Sequence, residues 1–335
     1  MRKKINPTHF IQFEKPVWKI PLVKEKAYFV RLKGQKKLIK LDEKLNIVFA
    51  INLPISTDSE NWDISVSPDE RHYCLTLENR IELRRLDHQL LFSKEGDFLQ
   101  TDGTESIFVD KDHLFFFDFK TEGRKHYARL NELKVQTNQI KEGIYFESED
   151  GVYCLFFDKT HQQIIIEVAC GQDGILLFKI DPSLITRKAP EEINLGCDKI
   201  FSGWHPSQKY FLTSPHNSDI LSIYTYPDIQ LFKTIEDEKI FTEAFALSEE
   251  EHLYFCSAFI GDDYILHVST CDNLILLKWT EEVYPCYRLI SPNFEEKQYG
   301  GISYGNVLWT KPVKDGFLVA YANGVLEKYE SVIFD

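Results

Sequence analysis

The residues able to do chemistry in this chain are scattered and belong to no catalytic motif. His205, Asp63, Asp198 and Glu105 are the imidazole and carboxylates that a metal-assisted hydrolysis would need, as metal ligands or as groups that move the proton. No HExxH helix, GxSxG turn or phosphate-cradling Gly-rich loop accompanies them. His205 opens HPSQK, which reads as a turn, and a surface or turn-packing residue is the plainer reading of it. The seven cysteines, at 74, 154, 170, 197, 256, 271 and 286, include no CxxC pair. They read as reduced thiols packed as small hydrophobes, not as a zinc site or a disulfide framework. No catalytic residue, metal or cofactor is expected, and the chemistry leans away from an enzyme.

Charge says more. Lys and Arg total 39 against 52 Asp and Glu, a formal net charge of −13 that opposes the phosphate contacts on which nucleic-acid affinity rests. Residues 1–10 are basic and then polar, and no apolar run of signal-peptide or membrane-spanning length follows. A cytoplasmic chain without nucleic-acid or membrane partners is expected. Hydrophobic residues make up 43% and aromatics 14%, enough apolar surface for an ordered core.

The elements that must position these residues come from a repeat. An alternating strand, mostly closed by an acidic or amide residue, recurs as LIKLD (38–42), IELRRLD (81–87), HYARLN (126–131), LLFKID (176–181), LSIYTYPD (221–228), LILLKWT (274–280) and VLEKYE (325–330). With Leu41, Leu86, Leu130, Ile180, Tyr226, Trp279 and Tyr329 equivalent, the spacings are 45, 44, 50, 46, 53 and 50, with a mean of 48. That is the length of a propeller blade. A hairpin turn and another strand precede each copy. Asn323-Gly324 is the clearest turn, and residues 120–124 make a longer one. One strand further back lie charged or Pro-containing turns such as SPDER (67–71) and HPSQK (205–209), and a fourth strand follows most copies.

Four antiparallel strands repeated seven times predict an all-β, seven-bladed β-propeller. The blades fall at about 17–54, 62–97, 104–141, 151–195, 200–236, 253–290 and 305–335, in a single domain over 1–335. The last copy lacks a fourth strand, and HFIQFE at 9–14 is expected to supply it, so that the N-terminal strand closes the last blade.

Through SPDER, HPSQK and the LD and ID strand ends, the chain resembles the WD-repeat propellers over roughly residues 15–335. No third strand ends in Trp-Asp, and the Trp62-Asp63 pair opens a blade instead. The resemblance therefore implies the fold and its usual role in binding other proteins.

In this strand order the loops entering each blade share one end with the middle hairpin turns. Those loops hold Asp58, Glu60, Asp102, Glu105, Glu147, Glu149, Asp150, Asp198, Glu236 to Glu238, Glu249 to Glu251, Glu295 and Glu296, against chiefly Lys141, Lys199, Lys239 and Lys297. The expectation is a non-catalytic protein-interaction or scaffold subunit that turns an acidic face to a basic protein. Its contact residues are expected to include Trp62, Asp102, Glu149, Asp150, Trp204, Asp237, Glu249, Glu250, Glu251, Tyr299 and Tyr304. The long segments 236–251 and 290–306 read either as contact loops or as an extra strand or cap. Four tryptophans, Trp18, Trp62, Trp204 and Trp309, lie on or beside first strands, where packing is their plainer role. The alternative function is a propeller hydrolase with a metal-assisted site at the channel mouth.

Overall fold

The computed structural model describes residues 2–24, 26–55, 62–98, 105–148, 151–170, 174–196, 199–216, 219–241, 251–254, 256–299, 302–314 and 316–330. Its contacts divide the chain into two compact units, Met1–Ile51 with Asp198–Asp335, and Asn52–Cys197. Among the described residues the strands form seven sheets of four or five strands and one small hairpin.

The first unit contains blades 1, 5, 6 and 7. Blade 1 runs Val17–Lys24, Ala27–Leu32, Lys37–Asp42 and Ile47–Asn52, and blade 5 runs Lys199–Trp204, Tyr210–Pro215, Ile220–Thr225 and Leu231–Glu236. Blade 6 is Cys256–Ile260, Tyr264–Val268, Leu274–Lys278 and Cys286–Ile290. Blade 7 is Val307–Val313, Gly316–Tyr321 and Val325–Glu330, and its outer strand is His9–Gln12, antiparallel to Val325–Glu330 in the register His9↔Lys328 to Gln12↔Val325. The expected closure of the last blade is therefore present. A second N-terminal strand, Arg2–Lys4, was not legible in the sequence: it adds in parallel to Cys286–Ile290 and makes blade 6 five-stranded. Ile5, 2% exposed, anchors it in the apolar cluster of blades 6 and 7.

The second unit contains blades 2, 3 and 4. Blade 2 is Trp62–Val66, His72–Leu77, Arg80–Arg85 and Leu90–Glu95, and blade 4 is Val152–Asp158, Gln163–Ala169, Ile175–Ile180 and Glu191–Glu192. Blade 3 departs from the expected pattern. Its middle strands, His113–Glu122 and Lys125–Lys134, pair along their whole length to Glu122↔Lys125, so the turn is shorter than the expected 120–124. The pairing runs on through Lys120↔Tyr127, Thr121↔His126 and Glu122↔Lys125, and Gly123 (φ +67°) allows the tight reversal. Two short strands, Gln139–Lys141 and Phe146–Ser148, share the outer edge of this blade.

Burial follows strand position. All six residues of Ala27–Leu32 are buried, whereas the outer strand Ile47–Asn52 is mostly exposed. The acidic residue that recurs after the third strand caps the next turn. Asp42 accepts from the backbone N–H of Lys44 (2.9 Å) and Asn46 (2.8 Å), Asp87 from that of Gln89 (3.1 Å), and Asp181 from that of Ser183 (2.8 Å). The Asn46 side-chain amide, followed by these backbone donors, holds the Asp42 carboxyl below the usual carboxylate range. The turns before the second strand place Glu70, Gln162 and Gln208 at positive φ, and this explains the shared form of SPDER and HPSQK. In Asn323-Gly324 only Gly324 (φ +89°) takes positive φ, while the Asn323 side chain accepts from Val325 N–H (3.2 Å).

Candidate functional site: the acidic blade-entering loops

Of the eleven contact residues expected from the sequence, Asp102, Glu149, Asp150, Glu249 and Glu250 lie outside the described residues. Tyr299 and Tyr304 fall on the facing strands of the hairpin Lys297–Tyr299 and Ile302–Tyr304, so segment 290–306 carries the extra strand pair and not an open loop. Trp62 is 5% exposed and fills blade 2 as packing. Trp204 is half-buried, its ring 4.7 Å edge-on from Phe201 and 6.0 Å from Tyr226, and its Nε1 finds no acceptor among the described residues.

Asp237 and Glu251 are not on the acidic surface. Asp237, 7% exposed, accepts from Leu253 N–H at 2.7 Å and from the His252 ring at 2.8 Å, which ties the end of blade 5 to the start of blade 6. Glu251, 1% exposed, takes a bidentate pair from Arg288 with both contacts at 2.7 Å, and also accepts from Ser269 Oγ and Asn273 Nδ2 at 2.9 Å. Four hydrogen bonds from three residues hold that carboxylate inside blade 6. Sequence position put both acids in a loop, but partners far along the chain draw them inward. The exposed acids that remain at these strand ends include Glu147, Glu238, Glu295 and Glu296.

Three of the four opposing bases have partners within the fold, and Lys297 stays exposed. Lys199 donates to Ser222 Oγ at 3.1 Å, Lys239 pairs with Glu236 at 3.0 Å, and Lys141 sits on the outer edge of blade 3, paired with Glu132 at 2.7 Å.

The candidate hydrolytic residues do not form a reactive set. His205, 5% exposed, gives its Nε2–H to Asp262 O at 3.0 Å and takes Ser207 N–H on Nδ1 at 3.1 Å, so both ring nitrogens are used. Its ring packs edge-on against Phe259, Tyr210 and Trp279, which is the turn-packing role read from the sequence. Asp63 is buried in blade 2, Glu105 accepts from Leu155 N–H at 3.2 Å, and Asp198 lies outside the described residues. The pair Ser257 and His267, 2.7 Å apart, has the look of a nucleophile and base. However, His267 Nε2 accepts from Tyr254 N–H at 3.0 Å, so the ring proton sits on Nδ1 and is donated to Ser257, leaving the hydroxyl unactivated. Burial pushes the His267 pKa down to about 3, against an opposing pull from Glu251, and the ring stays neutral. Among the described residues no group of three or more His, Cys, Asp or Glu is placed to hold a metal ion.

Two adjoining clefts, of about 490 and 450 Å³, open in the second unit at the opposite strand ends, between the first turns of blades 2, 3 and 4. Both are floored by Val109 and Phe157. Along one wall Asp110 accepts from the His113 ring at 2.8 Å, and His113 faces Glu132 at 3.5 Å. Burial works to raise the Asp110 carboxyl, but the bonds from His113 and from the Asp112 and His113 backbones hold it below the usual range. The sequence offered no signal for these clefts because their walls come from three separate turns.

No protein-family model matches the sequence, and no curated protein matches it. Solved structures do match. The Cps50 (Swd1) β-propeller domain of Myceliophteria thermophila aligns over 96% of this chain and 99% of that one, with TM-score 0.60 at 11% identity. The WD40 domain of SCAP from fission yeast aligns over 97% and 98% (TM-score 0.55, 8% identity), and the Neurospora crassa Pan2 WD40 domain over 96% and 93% (TM-score 0.57, 7% identity). The fold is a seven-bladed β-propeller, similar to those WD40 domains in architecture. At such identities the propeller architecture alone carries over, and the blade-entering loops remain this chain's own.

Proposed function

We propose that this propeller is a cytoplasmic, non-catalytic protein-interaction module, one domain over 1–335, whose acidic blade-entering loops dock a basic protein. The observation that carries the reading is the fate of the counter-charges in the first unit: Lys199 is bonded to Ser222 Oγ and Lys239 is paired with Glu236, while Glu238, Glu295 and Glu296 stay exposed against Lys297. A single-signed rim steers a complementary surface and raises its association rate. Four-stranded blades hold the loop ends fixed, which lowers the entropy cost of docking. A small-molecule or hydrolytic reading has no comparable support, because His205 and His267 are both spent on packing and backbone bonds.

The test is affinity capture from native lysate by the tagged chain and by its Glu249→Lys, Glu250→Lys, Glu238→Lys variant. Glu251 is left intact because its reversal would break the Arg288 pair. A Lys- and Arg-rich partner retained by the first and lost by the second, and lost as salt rises, is the expected result. Partners retained equally by both would overturn the acidic-face assignment.

A further inference from the structure

A second surface lies at the other strand ends, on blades 5 and 6 of the first unit, and it does not depend on the acidic loops. In blade 5 the pairing of the third and fourth strands shifts between Ile223 and Tyr224, where Ile223 faces Lys233 but Tyr224 faces Leu231. Phe232 is thereby the extra residue of a β-bulge, a device that re-aims side chains. Leu231 and Phe232, neighbours in sequence at the start of this outer strand, both stand in solvent, 59% and 51% exposed. The Phe232 ring leans on Tyr210, 4.8 Å between centroids.

Blade 6 abuts this pair through Lys233. Its ammonium donates to Trp279 O at 2.5 Å and Glu281 O at 3.2 Å, and it lies 4.8 Å from the centre of the Tyr284 ring. That contact brings the turn 280–284 alongside, and its Val283, 84% exposed, is the most exposed large hydrophobic residue among those described. Scattered single exposed apolar residues are ordinary, whereas a bulge-presented pair beside a valine at a turn tip is a patch.

The rim of the patch is acidic. Asp228, Asp262, Asp263, Glu281 and Glu282 are exposed around it. Of the nearby bases, Lys233 is consumed by backbone carbonyls and Lys278 is paired with Glu281 at 2.7 Å, leaving Lys209. Apolar anchors inside a ring of like charge select a partner that carries the opposite charge beside its own anchor.

We infer that the bulge of blade 5 and the turn 280–284 of blade 6 form a docking site for a protein segment with an aromatic or aliphatic anchor flanked by Lys or Arg. The bulged pair and Val283 cover the anchor, and the exposed carboxylates of Asp228, Asp262, Asp263 and Glu282 receive the flanking cations, Glu281 being paired with Lys278.

The experiment uses the full chain and fluorescein-labelled peptide libraries carrying one Phe, Trp or Leu anchor between Lys and Arg flanks, with matched libraries in which the flanks are Glu or the anchor is Ala. Fluorescence polarisation is followed for the unsubstituted protein, Phe232→Ser with Val283→Ser, Asp262→Lys with Asp263→Lys, and Glu238→Lys with Glu296→Lys, after circular dichroism has verified that each folds. Binding of the basic anchored library alone is expected, weakened about tenfold or more by either patch variant. Should the aspartate variant fail to fold, the serine variant carries the same comparison. No binding, equal binding of the Glu-flanked library, or loss only with the Glu238 and Glu296 reversal would overturn the inference, the last while leaving the acidic-loop reading intact. A dimer in sedimentation that Phe232→Ser disperses would assign the patch to a second copy of the chain and overturn it as well.

Discussion

Glu251 and Arg288 are charged residues 37 positions apart that the fold buries together, at 1% and 3% exposure. Removing one partner strands the other in a medium that cannot solvate it, a loss of about 3–5 kcal/mol. Arg288→Met is therefore expected to lower the urea midpoint strongly, and adding Glu251→Met should recover much of the loss; equal effects of the single and double variants would deny the pairing. His267 sets a pH dependence. Its folded pKa of about 3 lies below the ordinary 6.5, so the unfolded chain takes up the proton first. The contribution is complete above pH 6.5 and drains away as pH falls toward 3. Melting temperature should fall through that window, and His267→Asn should flatten the upper part of the fall. Below about pH 4.5 the lowered carboxylates Asp42, Asp69, Glu82, Asp110 and Asp118 add their own loss in the same direction.

At the scale of elements, the N-terminal segment does two jobs: Arg2–Lys4 extends blade 6 and His9–Gln12 completes blade 7. Deleting residues 1–7 removes the first strand and the buried Ile5, worth about 2 kcal/mol of apolar burial. Deleting 1–15 removes both strands and uncovers the edge of Val325–Glu330, so the melting temperature should drop modestly for the shorter deletion and sharply for the longer. An unchanged melting temperature after the longer deletion would sink the closure of blade 7. Gly324→Ala meets a second constraint, since at φ +89° its Cβ would come 2.4 Å from Phe13 O, and roughly 1–3 kcal/mol of destabilisation is expected in denaturant titration. The blade pattern and the completing strand at His9–Gln12 were legible because period-two alternation and turn residues are local signals. The strand Arg2–Lys4 was not, since three residues carry no periodicity. Nor was the inward turn of Asp237 and Glu251, whose partners His252, Leu253 and Arg288 come from elsewhere in the chain. The bulge at Phe232 was not legible either, because it is set by pairing register, which one strand's sequence does not state.

At the scale of the molecule, a net charge of −13 makes association electrostatic before it is specific. One domain over 1–335 is expected to unfold in one thermal transition; two resolved transitions matching Met1–Ile51 with Asp198–Asp335 and Asn52–Cys197 would make the two units separate domains. The measurement that tests the central claim most directly is the association rate between the full chain and a partner retained in capture, followed as ionic strength rises. An acidic docking face predicts a steep fall in that rate with little change in dissociation; a rate independent of salt would contradict it.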